Sequence, residues 1–442
     1  MFAVVLLCIV CIAYWWWRRP SAKTAEPPSL PGAWPIVGHL PLLFEGSYCC
    51  SKYFFKVGLK RRLYEVGGVL RINFGPVKYY CVTDPDDCHT IANTCLEKDS
   101  VYNFFEPWLG EGLITAKYET WKKHDKLLKP AFSQIVLNTF MGVFNSQSRK
   151  LVKELEQNAG KGLFDPFTYL RYNALDIICR KSLFPTCNNL NDYFDAAKSV
   201  INSTIERFIK IWWHSPYTFA WSKLKKKQDA YLKILHKMSN TVRRAHVDTM
   251  LVAGHETTPN ALLFTMVLLG SYPDIQEKVF SEIQEVLGGD RDVEKTDLSR
   301  LQYLEAVLKE SMRFFTVVPL IARKLETDVK LKNYTLSGRH CLLFISGLHK
   351  HPMWGPDRHE FKPNRWLEPG KVPDNLHVYA PFGLGRRQCI GKIFAMMSMK
   401  TTLAHVVRSY RIKADHTKMR LSYAVTVKPD NDGHYISIEK RT

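Results

Sequence analysis

The sequence predicts a mainly α-helical protein with a minor β-sheet. Segment 274–287 places its apolar residues at helical spacing on one face and ends at a Gly-Gly pair, a pattern typical of an amphipathic helix. Segment 301–315 repeats this pattern. Segment 69–83 is rich in strand-forming residues and is interrupted by Gly75 and Pro76, which predicts a β-hairpin near the start of the chain.

The composition is that of a folded protein. The chain has 442 residues, of which 46% are apolar, and this excludes disordered, fibrous and mini-protein classes. No internal repeat divides it, so residues 36–442 are expected to form one large domain. The 62 Lys and Arg against 42 Asp and Glu give a net charge of +20, which predicts an anionic partner. No motif supports nucleic acid. Eleven irregularly spaced cysteines indicate a reducing compartment.

The N-terminus predicts a single-pass membrane anchor. Residues 1–17 carry no charge and end in three tryptophans, and Arg18 and Arg19 follow at once. Positive charge after the span places the bulk of the chain in the cytosol. A cleaved or interfacial segment is the alternative. The basic, Pro-rich residues 18–35 are expected to form a stiff linker between the anchor and the domain.

The sequence around one cysteine predicts a site for a metal ligand. Cys389 lies in the segment Pro-Phe-Gly-Leu-Gly-Arg-Arg-Gln-Cys-Ile-Gly, directly before a helical run. Glycines let backbone N–H groups approach the sulfur, and the following helix presents its positive end. Both effects lower the pKa of the thiol, so Cys389 is a candidate ligand for a soft metal. The alternative is a buried structural cysteine before a core helix.

This loop resembles the haem-binding loop of the cytochromes P450, which are haem-thiolate monooxygenases. Three further signatures occur in family order, so the resemblance covers nearly the whole chain after the anchor. It implies a cytochrome P450 fold, with Cys389 as the axial haem ligand and Arg387 paired with a haem propionate. The matching residues are Phe382, Gly385, Arg387, Cys389 and Gly391.

The second signature is a charge network. Glu310 and Arg313 are three residues apart and therefore share a helix face, where Arg365 from a later loop can join them. The resemblance implies a buried, structural triad that locks the loops on the haem side. An exposed salt bridge is the alternative.

The third signature lies in an apolar helix at residues 247–270. Its small pair, Ala253 and Gly254, would let the helix pass close over a flat cofactor. The resemblance implies that Thr257 hydrogen-bonds dioxygen and that Glu256 relays protons, which makes these two the candidate catalytic residues. A core helix with a small-residue crossing is the alternative.

The fourth signature is imperfect. The helix that begins near Trp121 resembles the family's WxxxR helix, whose arginine binds a propionate, but Asp125 stands at the arginine position. An acid cannot bind a propionate, so His124 or Lys126 is expected to substitute. Arg323 matches a second propionate contact of the family.

Two further departures concern the cofactor and the length. Family members with ester-linked haem have a glutamate at the position of Ala253, so a non-covalent haem b is expected here. The stretch from Trp121 to Thr257 is several tens of residues shorter than the family pattern, with the shortfall near 239–246. A helix that lacks its first turns could not cross a haem pocket, so the chain could be a splice form, a faulty gene model or an inactive relative.

The positive charge suggests two partners. Helices that face the cysteine side of the haem in the family carry lysines and an arginine, and an acidic flavoprotein, NADPH–cytochrome P450 reductase, would dock there, with cytochrome b5 as a second candidate. These residues are Lys122, Lys123, Lys126, Lys129, Arg386, Lys392 and Lys400. The aromatic segment 211–221 and the lysines after it resemble a patch that contacts membrane lipid. Scattered solvated lysines and ordinary core aromatics are the alternatives.

The expected activity is insertion of one atom of dioxygen into an apolar small molecule, such as a lipid, hormone or xenobiotic. Electrons would come from NADPH, and the chain would sit on the endoplasmic reticulum membrane facing the cytosol. It resembles insect and fatty-acid-hydroxylase-like members of the family. The alternatives are a haem-thiolate isomerase or dehydratase and a non-catalytic haem protein or decoy. Substrate-facing positions by resemblance are Phe104, Phe105, Val317, Val318 and Leu320.

Overall fold

The computed structural model describes residues 26–34, 37–41, 58–75, 77–179, 190–238, 244–338, 340–423, 425–430 and 436–441. The predicted anchor and the first part of the linker lie outside these residues. Over the described ranges, we find no helix that combines the length and the apolar character needed to cross a bilayer.

In the part of the chain that the structure describes, helices dominate and four small sheets accompany them, which agrees with the predicted mainly helical fold. The α-helices are α1 (Gly58–Glu65), α2 (Pro85–Thr94), α3 (Glu106–Leu109), α4 (Tyr118–Leu128), α5 (Gln134–Thr139), α6 (Met141–Leu155), α7 (Phe167–Cys179), α8 (Leu190–Ile209), α9 (Pro216–Ala220), α10 (Lys223–Met238), α11 (Arg244–Ser271), α12 (Pro273–Leu287), α13 (Lys295–Arg300), α14 (Gln302–Phe314), α15 (Ile345–Leu348) and α16 (Lys392–Ser409). The strands are β1 (Val69–Phe74), β2 (Val77–Val82), β3 (Ile321–Lys324), β4 (Val329–Lys330), β5 (Thr335–Leu336), β6 (His340–Leu343), β7 (Tyr410–Lys413), β8 (Leu421–Tyr423), β9 (Val427–Pro429) and β10 (Ser437–Lys440).

The predicted hairpin is strands β1 and β2. They pair antiparallel from Val69 opposite Val82 to Phe74 opposite Val77, and Gly75 turns between them at φ +59°. The sheet continues in the order β1-β2-β6-β3, with β2 and β6 parallel and β6 and β3 antiparallel. Apolar side chains cover both faces of this sheet. The sheet therefore holds Arg323, a residue of β3, in the protein interior.

Helix α11 forms the centre of the helical part. Its segment from Ala261 to Leu269 is buried on all sides, so it lies inside the bundle rather than on its surface. The helix has 28 residues and is about 42 Å long. Thirteen of its residues precede Thr257, which is about 20 Å of helix.

Helix α11 thus has more than three described turns before Thr257, and most of the segment where the sequence predicts a shortfall, residues 239–243, lies outside the described residues. The N-terminal half of α11 is held by the chain around α3. Gly110 lies against Ala245, and a Cβ placed on Gly112 would meet the hydroxyl of Thr249 at 2.0 Å. The glycines let the two segments approach closely, and none of the first turns that the structure describes is exposed.

Candidate functional site

The cysteine loop is shaped by glycines and by its own backbone. Gly383 and Gly385 have φ angles of +81° and +68°, a conformation that favours glycine. A Cβ on Gly385 would lie 2.5 Å from the carbonyl oxygen of Ala92 in α2, so only glycine fits against that helix. The N–H of Cys389 donates to the carbonyl of Phe382 at 2.8 Å and closes the loop. The backbone thus sets the position of the sulfur.

The thiol of Cys389 is exposed by surface area, although protein atoms surround it on most sides. The surrounding atoms therefore leave one side of this residue accessible. Burial raises the pKa of this thiol, while the hydrogen bond from Gly391 and the charge of Lys392 act in the opposite direction without outweighing it. The predicted lowering of the pKa is thus not produced by the protein atoms alone.

A buried cation follows the loop. Arg387 donates to the carbonyl oxygens of Leu96 at 3.0 Å and Ala116 at 2.7 Å, and its guanidinium lies 4.9 Å from the ring centre of Trp121. Its Nε has no hydrogen-bond partner. Burial, together with the nearby charge of Arg323, lowers the pKa of Arg387 to about 10.

Two further cations lie beside it. Arg323 is fully buried, donates to the carbonyl of Ala322 and leaves its own Nε unpartnered. Lys98 forms an antiparallel bridge with Arg323, and burial and these two arginines hold the pKa of Lys98 far below its usual value. No described carboxylate forms an ion pair with any of the three. We call Lys98, Arg323 and Arg387 the cation cluster, and its chemistry fits the carboxylates of a bound group.

Sequence reasoning missed Lys98. It belongs to no motif that we recognise, and its position depends on a bridge to a strand more than two hundred residues later.

Helix α4 shows how the chain accommodates Asp125. This carboxylate accepts from Lys129 at 2.6 Å, one turn later on the helix. Lys126 is exposed, whereas His124 is half-buried and its buried Nδ1 has no partner. Its ring meets that of His246 edge-on, with ring centres 4.3 Å apart. Of the two predicted substitutes for the family arginine, His124 is therefore the one that faces inward.

The catalytic candidates lie one turn or less apart on α11. The Thr257 hydroxyl donates to the carbonyl of Ala253 at 2.5 Å. Glu256 is buried, with its carboxylate 3.6 Å from the guanidinium of Arg171 in α7. A Cβ on Gly254 would meet Ile178 of α7 at 2.1 Å. The close approach that requires this glycine is thus the crossing of α7, which differs from the predicted approach to a cofactor.

Arg171 is the second residue that the sequence did not reveal. It is half-buried, stacks on Phe194 at 4.2 Å, and leaves Nε and one terminal nitrogen without hydrogen bonds. Burial lowers the pKa of Arg171, and the charge of Glu256 opposes that shift. Burial also lowers the pKa of Lys428, and the charge of Glu256 acts to raise it. Glu256 thus has two partly desolvated cations near it.

The charge network is buried and fully bonded. Glu310 Oε1 accepts from Arg313 Nη2 at 2.8 Å, Arg365 Nε at 3.0 Å and the N–H of Lys362 at 2.9 Å. Its Oε2 accepts from Arg313 Nε at 2.8 Å and Trp366 Nε1 at 3.0 Å. Burial acts to raise the pKa of Glu310, but the arginine contacts hold it below its usual value. The exposed alternative is excluded.

A cysteine in a glycine-shaped loop, together with partly desolvated cations suited to carboxylates, fits the class of haem-thiolate proteins, since haem carries both a thiolate-binding iron and two propionates. Comparison with known proteins identifies the family. The chain belongs to the cytochrome P450 family, because the family model described as "Cytochrome P450" matches residues 27–228 and 182–432. Membership in this family assigns the chain to the haem-dependent monooxygenases.

Individual relatives agree. The chain is 28% identical to cytochrome P450 4V2 of Homo sapiens over 94% of its length and 90% of that protein. It is 30% identical to probable cytochrome P450 4s3 of Drosophila melanogaster, which covers 83% of this chain and 85% of the relative. A crystal structure of a mutant cytochrome P450DA haem domain superposes with a TM-score of 0.80 at 22% identity, over 95% of this chain and 98% of that one, which supports the fold.

Proposed function

We propose that the chain is a membrane-bound monooxygenase that inserts one atom of dioxygen into an apolar small molecule, with electrons from NADPH delivered by a flavoprotein reductase. The observation that carries the proposal is the exposed Cys389, which a glycine-shaped backbone loop holds in place.

Residues on two sides would hold the haem. Cys389 would bind the iron in a loop shaped by Phe382, Gly385 and Gly391, and haem held in this way supplies the activation of dioxygen. The cation cluster would bind the propionates, with Trp121 and His124 beside it. Ala253 offers no carboxylate for an ester link, so the haem would be held without a covalent bond to that position.

Protons would reach the reaction through Glu256 and Thr257. Glu256 is buried and paired, so it can hold a proton or a negative charge away from bulk water. The Thr257 hydroxyl is a donor to the helix backbone and can accept a second hydrogen bond at the same time. Arg171 would position the carboxylate of Glu256.

The predicted docking face has an apolar centre. Leu127, Ile135 and Ile393 are 69%, 81% and 51% exposed, and they come from α4, α5 and α16, of which α4 and α16 also carry predicted cations. An apolar centre with a charged rim is typical of a protein interface. Lys400 is an exception, because it is buried and donates to Glu305 at 3.0 Å, so it is removed from the predicted docking set.

The membrane would contact the aromatic segment. Trp212, Tyr217 and Trp221 are 48%, 83% and 91% exposed. Gly75 lies against Ile211, and its N–H donates to the carbonyl of Val37 at 3.0 Å, three residues after Trp34, which is 63% exposed. These exposed rings and the apolar residues 1–17 support attachment to the endoplasmic reticulum membrane with the domain in the cytosol.

Two observations weigh on the alternatives. The acid and alcohol at Glu256 and Thr257 serve proton delivery, which an isomerase or dehydratase working without a reductase does not require. The alignment with the human relative spans 474 positions, whereas 94% of 442 residues is about 415, so this chain is shorter by tens of residues over the aligned span. The 13 residues of α11 before Thr257 and the bonded charge network favour an active enzyme over a decoy despite this difference.

A purified chain with reductase and NADPH tests the proposal. The reduced protein is expected to give the thiolate-type Soret shift with carbon monoxide, and NADPH consumption is expected to yield an oxygenated product. A Soret shift without NADPH-dependent product would favour the isomerase or decoy, and the absence of the shift would remove Cys389 as the ligand.

A further inference from the structure

Four histidines are buried among the residues that the structure describes. Three of them, His39, His349 and His405, have hydrogen-bond partners at both ring nitrogens. His255 differs from them, because its Nδ1 lies 2.7 Å from the carbonyl oxygen of Leu251 but its Nε2 has no partner among the described residues. An unsatisfied nitrogen in the interior costs free energy, so packing alone does not explain a histidine at this position.

The hydrogen bond to Leu251 fixes the tautomer of the His255 ring. A carbonyl oxygen only accepts, so Nδ1 carries the hydrogen, and in the neutral ring Nε2 then holds an unshared electron pair. Burial lowers the pKa of His255 to about 4, although the charge of Glu256 opposes this shift. The ring is therefore neutral near neutral pH, and its Nε2 is a hydrogen-bond acceptor.

This acceptor lies beside the carboxylate of Glu256. Nε2 is 3.8 Å from Oε1 of Glu256, and both residues are buried. The ring packs against Tyr193 and Phe194 of α8, with ring centres 5.6 Å and 5.5 Å away. Two acceptors can form a hydrogen bond only when one of them carries a proton. That proton belongs on Glu256, because a second proton on His255 would create a buried cation near Arg171.

The cations around Glu256 favour the opposite state. The guanidinium of Arg171 lies 3.6 Å from the same oxygen, Oε1, and Lys428 also acts on this carboxylate. Cations stabilise the ionised carboxylate, whereas an acceptor stabilises the protonated acid. A group that passes protons has to adopt both states near the working pH. The titratable and charged groups on the surrounding elements are Arg171 and Tyr172 of α7, Tyr193, Asp195 and Lys198 of α8, and Lys428 of β9.

We propose that His255 accepts a hydrogen bond from the protonated carboxyl group of Glu256 and so positions this acid between two partners. The inference rests on the proposed function, in which Glu256 relays protons. The distance between Nε2 and Oε1 has to shorten from 3.8 Å to about 2.8 Å, which a rotation of the Glu256 side chain can supply. When the proton leaves, the carboxylate returns to Arg171. The protonation state of Glu256 thus decides which partner it contacts.

The pH at which Glu256 takes up its proton tests the proposal. Infrared spectra of the full, haem-bound chain record the carboxyl band of protonated Glu256, which is identified by its loss in Glu256→Gln. In His255→Leu the acid has no acceptor, so the midpoint of this band is expected about one pH unit lower, the contribution of an ordinary hydrogen bond. In His255→Gln the amide can donate to Leu251 and accept from Glu256, so the midpoint should return toward that of the native chain.

Val252→Ala is the control for packing. Val252 lies one turn before Glu256, is partly buried against the cluster that contains Tyr193 and Phe194, and has no polar side-chain atom. Its change should leave the midpoint where it is in the native chain. An unchanged midpoint in His255→Leu would overturn the proposal, as would an equal shift in the Leu and Gln variants.

The native chain decides the question if His255→Leu does not fold. A carboxyl band at the frequency of a hydrogen-bonded acid would support the proposal, and a band at the frequency of a free acid would overturn it. Failure of the proposed function would look different, because the infrared midpoint requires no turnover. Product and peroxide formed per NADPH are measured on the same variants. A shifted midpoint with unchanged coupling would support the hydrogen bond and remove Glu256 from the relay.

Discussion

Removing the charge of Glu310 tests the buried network most directly. In Glu310→Gln one carboxylate oxygen becomes an NH₂ group, yet both oxygens of Glu310 face only donors. In either orientation of the amide, its NH₂ group lies against hydrogen-bond donors and forms no hydrogen bond with them. Arg313, which is fully buried, also loses the one anionic partner that it has among the described residues. Removing one partner of a buried ion pair costs about 3–5 kcal/mol, a large part of the stability of a typical protein.

The matched control has the same residue types and spacing on the surface. Glu65 pairs with Arg62 at 3.0 Å, three residues apart, with side chains 41% and 47% exposed. Glu65→Gln is expected to cost less than about 1 kcal/mol, because exposed pairs contribute little. Urea unfolding of the haem-bound proteins, followed by circular dichroism and the Soret band, measures both. Equal midpoint shifts for the two variants would refute the reasoning.

The pH dependence gives a second check. The folded pKa of Glu310 lies below its unfolded value, so its ionised form stabilises the fold above about pH 4, the ordinary range of a glutamate. This contribution is lost as the pH falls through the folded pKa. The difference in the free energy of unfolding between the native chain and Glu310→Gln should therefore be largest near neutral pH and should decrease as the pH falls. A difference that stays constant down to pH 3 would contradict a charge-based origin.

Four further outcomes are expected. Cys389→Ser should abolish the thiolate-type Soret shift of the reduced carbon monoxide complex, and a retained shift would place the ligand elsewhere. Thr257→Ala should release more peroxide per NADPH consumed, whereas unchanged coupling would argue against its role in the relay. Arg171→Leu and Glu256→Gln should impair coupling non-additively, and additive effects would show that they act independently. Gly385→Ala should destabilise the chain by about 2 kcal/mol in thermal unfolding, well beyond the same change at an unstrained surface glycine.

Local spacing predicted some of the site. The three-residue spacing of Glu310 and Arg313 places both on one helix face, and the glycines around Cys389 predict a tight loop. The remaining acceptors of Arg313 are the carbonyls of His349, Arg358 and Glu360, which come from segments at least 36 residues away. Contacts over such separations depend on the tertiary fold and leave no periodic signal in the sequence.

The dependence of contacts on the tertiary fold also explains which site residues the sequence analysis missed. Arg171 meets Glu256 through the packing of α7 on α11, and Lys98 meets Arg323 through an added strand bridge. Neither pair has a spacing that sequence analysis can recognise. The lowered pKa predicted for Cys389 took account of the helix and the glycines. It left out burial, which has the largest effect and raises the pKa.

The backbone construction of the cysteine loop has a consequence for how the protein can vary. Because glycine conformations and main-chain hydrogen bonds fix the sulfur, the exposed side chains of Arg386 and Gln388 have no part in holding it. Substitutions there can alter the charge presented to a redox protein and leave the coordination geometry unchanged. Recognition and chemistry can thus evolve separately within a few residues of one another.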